Sequence, residues 1–225
     1  MQKKITAIIP AAGKGTRMGA EINKVFLEVL GHSVFAWTLR AFEDCTVIHE
    51  IVVVTGEEDI FLCRDIIAEE GFTKVRAVLR GGATRAASVY AGISAAEDAS
   101  MVVIHDAARP LVTPEIIERV VQSAEEHGAA IVAVPVVDTI KETENGFITK
   151  TVKRDKLYGA QTPQVFARQT ILHAIEKYGE DITDDASAAE QAGIPVAIVA
   201  GSYENIKVTT PFDMAVCEMI LRRRG

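Results

Sequence analysis

Four short segments of this chain combine small residues with cations or carboxylates in patterns that suit phosphate chemistry. The first runs Pro10-Ala11-Ala12-Gly13-Lys14-Gly15-Thr16-Arg17-Met18-Gly19. Gly13 and Gly15 let backbone N–H groups approach phosphate oxygens closely. Lys14, Arg17 and Lys24 add cations close by. The loop is not a Walker loop, because GxxxxGK followed by Ser or Thr is absent. It is not the dinucleotide fingerprint either, since the third Gly falls one residue late and gives GxGxxxG. The second segment is Arg80-Gly81-Gly82-Ala83-Thr84-Arg85, with Ser88 one turn into the helix that follows. Helix N-terminal N–H groups attract anions, although a tight turn with a helix cap explains the same residues.

The third segment, Val103 to Pro110, is an apolar strand ending in His105-Asp106-Ala107-Ala108-Arg109. A strand-end carboxylate beside bound phosphates can hold Mg²⁺, which prefers hard oxygen ligands and keeps several waters. Asp106 reads equally as a loop cap and Arg109 as half of a surface ion pair. His105 reads as a hydrogen-bonded strand-end residue rather than a catalytic base. The fourth segment is Asn205-Ile206-Lys207-Val208-Thr209, ahead of Pro211. Lys207 is either a directed cation or a surface lysine with a buried stem. Ile182-Thr183-Asp184-Asp185 is a polar strand-to-helix entry that simple capping also explains. Zinc-ligand spacing, HExxH, GxSxG and the kinase signatures are all missing. No carboxylates form a recognisable acid/base pair. The chemistry these residues suit is phosphate electrostatics, not hydrolysis by a side-chain nucleophile.

The elements that must position them follow from hydrophobic pattern. Ile5–Pro10, Glu50–Thr55, Val75–Leu79, Met101–His105, Ala130–Val136 and Pro195–Ala200 are nearly all apolar. That pattern predicts strands buried on both faces of a mainly parallel sheet. The segments 33–44, 57–71, 83–98 and 113–128 carry apolar residues at helical spacing. Thr113-Pro114 marks a helix start, and Gly71 and Gly128 mark ends. Strand and helix alternate, so the fold class is α/β with helices on both faces of the sheet. The loops of the first three chemical segments each follow a strand, and open α/β sheets bind ligands at the carboxyl ends of their strands.

Asp138 to Gln164 breaks this rhythm. Glu144-Asn145-Gly146 is a hairpin signal flanked by alternating polar strands. A two-stranded ribbon is marginal alone in water. It therefore reads as a projecting β-arm, about residues 138–160, that clasps a second copy of the chain. A hairpin lying on its own domain is the plainer alternative.

With 225 residues, the chain fits one large domain carrying an appendage. It can fold without disulfides or metals. Its formal net charge of −7 argues against nucleic acid or an anionic membrane as main partner. It does not argue against a small anionic substrate met by local cations. Cys45, Cys63 and Cys217 are far apart and read as buried thiols of a reducing compartment. No apolar run approaches the ~18 residues of a membrane span. Pro10, Gly13 and Lys14 interrupt the first apolar stretch too early for a secretory leader, so a cytoplasmic location is expected.

Together the motifs AAGKGTRMG, Lys24, GGATRAASV, HDAARP, DTIK, QTPQVF, ITDDASA and NIKVT resemble 2-C-methyl-D-erythritol 4-phosphate cytidylyltransferases, from the first strand to the last helix. Each motif is weak or moderate alone; their shared order and spacing are specific. The resemblance implies a three-layer, Rossmann-like nucleotidyltransferase fold spanning 1–225 as a homodimer with an interlocking β-arm. It implies CMP transfer from CTP to a sugar-alcohol phosphate, using Mg²⁺, with release of pyrophosphate. Pro10, Ala11, Ala12, Gly13 and Gly15 are then expected to line the nucleotide, and Gly82 and Ser88 to contact its cytosine. Asp106 and Ala107 are expected near ribose and metal. Arg17 and Lys24 are expected to stabilise the transition state, together with Arg154 and Lys207. Arg109, Thr183 and Lys207 would hold the sugar phosphate, with Thr139 and Arg154 reaching it from the other subunit.

The chemistry is consistent with such roles. A phosphate monoester is largely dianionic at pH 7, because its second pKa is about 6, so it needs no general base. One departure stands out: the family pattern Pro-Lys-Gln is here Asn23-Lys24-Val25. Proline no longer stiffens the approach to the lysine, and a polar side chain is lost. Two other readings remain at this stage. A ribitol 5-phosphate cytidylyltransferase shares the fold and glycine loop, and a non-catalytic nucleotide sensor is conceivable on any such fold. An NAD-dependent oxidoreductase is disfavoured by the glycine spacing.

Overall fold

The six apolar runs all supply strands of one seven-stranded sheet, but those near 75–80 and 197–200 lie at its two edges and are partly exposed rather than buried on both faces. In this computed structural model, residues 3–12, 23–179 and 182–225 are described. In chain order the strands are β1 (Ile5–Pro10), β2 (Glu28–Val29), β3 (His32–Ser33), β4 (Glu50–Thr55), β5 (Val75–Arg80), β6 (Met101–Ile104), β7 (Ala129–Pro135), β8 (Lys141–Glu144), β9 (Phe147–Thr151), β10 (Tyr158–Ala167) and β11 (Ala197–Ala200). The helices are α1 (Val34–Glu43), α2 (Ile60–Glu69), α3 (Arg85–Ala95), α4 (Pro114–His127), α5 (Arg168–Tyr178), α6 (Asp185–Gln191) and α7 (Pro211–Arg224). The large sheet has the order β11-β7-β10-β6-β1-β4-β5. All its strands run parallel except β10, which lies antiparallel between β6 and β7.

Alternate strand residues point to opposite faces, and both faces are covered. On one side Ile5, Ala7, Ile9, Ile51 and Val103 pack under Phe35, Leu39 and Phe42 of α1 and Ile117 and Val120 of α4. On the other, Ile8, Val52, Val102 and Ile104 meet Val89 and Ile93 of α3 and Ile171 and Ile175 of α5. This is the three-layer arrangement that continuous apolar strands require. Gly92 lets α3 sit flush on the sheet: a Cβ there would lie 2.5 Å from Ile8 Cγ2. A third cluster ties α7 to β2 and α1 through Val29, Val34, Cys217 and Leu221.

The local signals act as expected. Thr113 is the N-cap residue of α4 with Pro114 inside the first turn, and Gly128 ends that helix in the left-handed region at φ 87°. Asn145 and Gly146 both have positive φ, 50° and 83°, which a two-residue hairpin turn between β8 and β9 demands. Every residue of β8 and β9 is exposed, including Phe147 and Ile148.

Three differences from the sequence reading concern the second half. Residues 158–160, read as the end of the arm, and 161–164, read as part of the irregular stretch, belong to β10 in the main sheet. The final strand is shorter than Pro195–Ala200, starting at Ala197. The last described element before Ile182 is helix α5, which ends at Tyr178, not a strand.

Topology places the β8–β9 hairpin. Because β10 is antiparallel to both neighbours, the end of β7, the start of β10 and the carboxyl ends of β1, β4, β5, β6 and β11 share one edge of the sheet. The β8–β9 hairpin is inserted between β7 and β10 and so leaves from that edge. Among the described residues, no helix is long and apolar enough to cross a membrane.

Candidate active site

The strand ends are laced together before any ligand is considered. Ala11 N–H donates to Val54 O at 2.8 Å, Ala107 N–H to Pro10 O at 3.2 Å, and Gly81 N–H to Thr55 O at 2.7 Å. The loops after β1, β5 and β6 therefore emerge side by side. Gly81 and Gly82 lie against α3, where added Cβ atoms would come within 2.6 Å of Ser88 Oγ and 2.5 Å of Ala87 Cβ. No larger residue fits there without moving the helix start. Thr84 caps α3 by accepting from Ala87 N–H. Ser88, fully buried, accepts from Gly82 N–H and donates to Thr84 O. Its hydroxyl shapes the glycine turn from below.

Asp106 is the hub of the edge. It is only 7% exposed. Its Oδ1 accepts from Arg85 Nε at 3.2 Å and its Oδ2 from Lys207 Nζ at 2.7 Å. The two Arg85 Nη atoms also grip Asp185 at 3.0 and 2.8 Å, in the bidentate geometry that suits a guanidinium. Burial alone would raise the pKa of Asp106. Arg85, Lys207 and Arg109 outweigh it and hold the carboxyl well below the usual range. Burial pushes Asp185 upward, with Arg85 pulling against it. Arg85, between two carboxylates, is held even more firmly protonated than usual.

His105 is the neutral prop behind this hub. It is completely buried, and burial pushes its pKa down to about 4. Asp106 N–H donates to Thr162 Oγ1, which is 3.1 Å from His105 Nδ1. His105 Nε2 donates to Arg109 O at 3.1 Å; a carbonyl can only accept, so this nitrogen carries the proton. The chain of bonds fixes both ends of the 106–109 turn. Arg109 is itself largely buried, which lowers its pKa, and its Nη1 donates to Asn205 O at 2.7 Å. Asn205 in turn donates to Thr162 O and Gln161 Oε1.

The structure thus gathers Pro10, Ala11, Gly82, Ser88, Asp106, Ala107, Arg109 and Lys207 at the shared edge. Lys24 begins a short 3-10 turn, Lys24–Phe26, whose Val25 is buried in the core. Gly13, Gly15 and Arg17 lie outside the described residues. Ala12 is exposed just before them. Thr183 is exposed ahead of α6, and its N–H donates to Ser187 Oγ. Thr139 and Arg154 sit at the base of the arm, both exposed, with the Arg154 guanidinium donating to Val137 O. Neither has a described contact with Asp106 or Lys207 of its own chain.

Sequence reading passed over three residues at the hub. Arg85, Asp185 and Thr162 all stood inside quoted motifs without a role. The available signal was the doubled carboxylate Asp184-Asp185: Asp184 caps α6, which leaves its neighbour for something else.

Comparison with known proteins gives the family and the fold. The family model described as 2-C-methyl-D-erythritol 4-phosphate cytidylyltransferase matches residues 5–223. The chain is similar to proteins of that name from Alkaliphilus oremlandii (45% identical, 98% of this chain and 96% of the relative) and Bacillus licheniformis (44%, 95% and 94%). It is similar in structure to 4-diphosphocytidyl-2C-methyl-D-erythritol synthase from Anaerococcus prevotii, with TM-score 0.86 at 32% identity over 98% of this chain and 97% of that one. The corresponding values for the cytidylyltransferase of Thermus thermophilus are 0.79, 32%, 97% and 99%. Matched by the family model from its first strand to its last helix, the chain belongs to the 2-C-methyl-D-erythritol 4-phosphate cytidylyltransferases.

Proposed function

We propose that the cationic edge around Asp106, completed by the β-arm of a second subunit, is where this enzyme works. The enzyme is a cytidylyltransferase that forms 4-diphosphocytidyl-2-C-methyl-D-erythritol from CTP and methylerythritol phosphate, in the non-mevalonate route to isoprenoids. The observation that carries the assignment is Asp106, a carboxylate kept ionised between Arg85 and Lys207 at the carboxyl edge of the sheet.

The loop from Pro10 to Gly15 would line the nucleotide. Gly82, shaped by Ser88, would meet the cytosine with its backbone, and Ala107 would lie near the ribose. Lys207 and Arg109, with Thr183, would hold the sugar phosphate. Arg17 and Lys24 would neutralise the charge that builds on the α-phosphate as the monoester oxygen attacks. The new phosphorus–oxygen bond forms as the bond to pyrophosphate breaks. Such a reaction depends on alignment and electrostatics, so the lack of a general base at the hub is consistent with it. Thr139 and Arg154 would reach the partner's sugar phosphate. The exposed Val137, Phe147 and Ile148 on or beside the arm suit burial in such a homodimer.

Asp106 is the carboxylate that fits Mg²⁺ on its ionisation and position. Among the described residues no three metal-ligating side chains cluster. That suits an ion held by one carboxylate and mainly by the substrate's phosphates. When bound, Mg²⁺ would supply further neutralisation of the triphosphate. The free, buried Cys45, Cys63 and Cys217 suit a reducing, cytoplasmic setting.

Pyrophosphate release from CTP and Mg²⁺ tests the substrate side. Methylerythritol phosphate should support it, and ribitol 5-phosphate in a parallel reaction should not. Release with ribitol 5-phosphate alone would leave the CTP half of the site standing and overturn the sugar-phosphate half.

A further inference from the structure

The departure at Asn23 becomes informative once its contacts are known. Asn23 is the first described residue after 13–22, and Ala11-Ala12 are the last before them. Asn23 Nδ2 donates to Ala11 O at 2.9 Å, so one side chain joins the described residues on either side of 13–22. The same amide lies 3.2 Å from Asp59 Oδ2, in the short turn that leads into α2. Its Oδ1 accepts from Val25 N–H at 3.4 Å, and its backbone O accepts from Phe26 N–H at 2.9 Å. Asn23 therefore caps the turn that carries Lys24.

The other side of Lys24 is anchored by packing. Val25 is 4% exposed within the core that includes Ala11 and Phe35. Phe26 stacks edge-on against Phe35 at 5.9 Å. The Asn23 backbone sits at φ −59°, ψ 125°, which is the φ that a proline ring imposes.

We infer that Asn23 is a positioning residue for Lys24. Its clasp on Ala11 and Asp59 fixes the lysine's turn against the end of β1, the task that ring stiffness would perform if proline stood there. Val25 completes the anchor by filling the core. Asn23 touches no reacting atom and acts only through the placement of Lys24. The inference rests on the proposed role of Lys24 at the α-phosphate.

The test is a set of four variants, Lys24→Ala, Asn23→Ala, Asn23→Pro and the double Lys24→Ala/Asn23→Ala. For each, kcat, KM for methylerythritol phosphate and the unfolding midpoint are measured. Misplacing a catalytic group by about 1 Å can cost up to about 100-fold in rate. Asn23→Ala should accordingly lower kcat by about 10- to 100-fold, with KM for the sugar phosphate unchanged and the protein folded at the assay temperature. Asn23→Pro, which suits the existing φ, should stay close to the wild-type kcat. In the Lys24→Ala background the Asn23 substitution should have no further effect, since the group it positions is gone. Wild-type kcat in Asn23→Ala would overturn the inference. So would an undiminished further loss in the double variant, or an Asn23→Pro enzyme as slow as Asn23→Ala. Wild-type turnover in Lys24→Ala would be a different failure, removing the lysine's own role and the inference with it.

Discussion

Lys24→Ala lowers kcat by about 100- to 1,000-fold, the usual loss when one preorganised donor to a developing oxyanion is removed. Most of the loss falls on kcat rather than KM, because the charge this lysine meets grows as the monoester oxygen closes on the α-phosphate. On the proposed site, ground-state CTP would be held by other donors along the strand ends, so its KM should change little. Arg17→Ala follows the same pattern on the same reasoning. Steady-state pyrophosphate release with each substrate varied in turn separates the two parameters. Near-normal turnover in either variant takes that residue out of the mechanism.

Arg85→Ala costs about 3–5 kcal/mol of folding stability, because removing one member of a buried ion pair strands the other. Asp185 has no exposed side-chain surface, and Arg85 is its described cationic partner. Asp106 loses one of its two ion-pair partners in the same step. Arg85→Lys should rescue poorly, since an ammonium cannot bridge Asp185 through two parallel bonds and reach Asp106 as well. Adding Asp185→Asn to Arg85→Ala should recover part of the loss by discharging the stranded group. Urea unfolding measures all three. A loss below about 1 kcal/mol in Arg85→Ala would be ordinary for a surface pair and would contradict a structural role for this arginine.

These two variants also show what the sequence carries openly and what it hides. Lys24 is marked out by the family resemblance and by the cations near it in sequence, and the strands that frame it by their hydrophobic pattern. Ile5–Pro10 and Glu50–Thr55 are nearly all apolar because both faces of the sheet are covered, and their bounds match β1 and β4. Asn145-Gly146 marks the arm's turn because few other residues tolerate that backbone. Arg85 and Asp185 lie 100 residues apart, and nothing local in either predicts that they meet. β10 was obscured for a related reason. Gln161, Thr162 and Gln164 are polar residues in a buried strand, held there by bonds to Ser202 O, His105, Asp184 and the α6 start. A pattern rule reads them as loop because the partners that satisfy them come from distant segments. Asn205 is similar: completely buried, it ties Gln161 and Thr162 to the loop after β11.

The arm is where the proposed site depends on a second chain, and mixed dimers test that directly. Arg154→Ala alone should raise KM for the sugar phosphate and spare CTP binding. Lys24→Ala subunits and Arg154→Ala subunits, each poor alone at low sugar phosphate, are unfolded, mixed in equal amounts and refolded. If each arm serves the neighbouring site, a heterodimer holds one site with Lys24 from its own chain and Arg154 from the partner. The mixture should then regain about a quarter of wild-type activity, for statistical pairing of symmetric dimers. If Arg154 serves its own subunit, no heterodimer contains a complete site. Activity no higher than the average of the two parent variants would contradict a site shared between subunits.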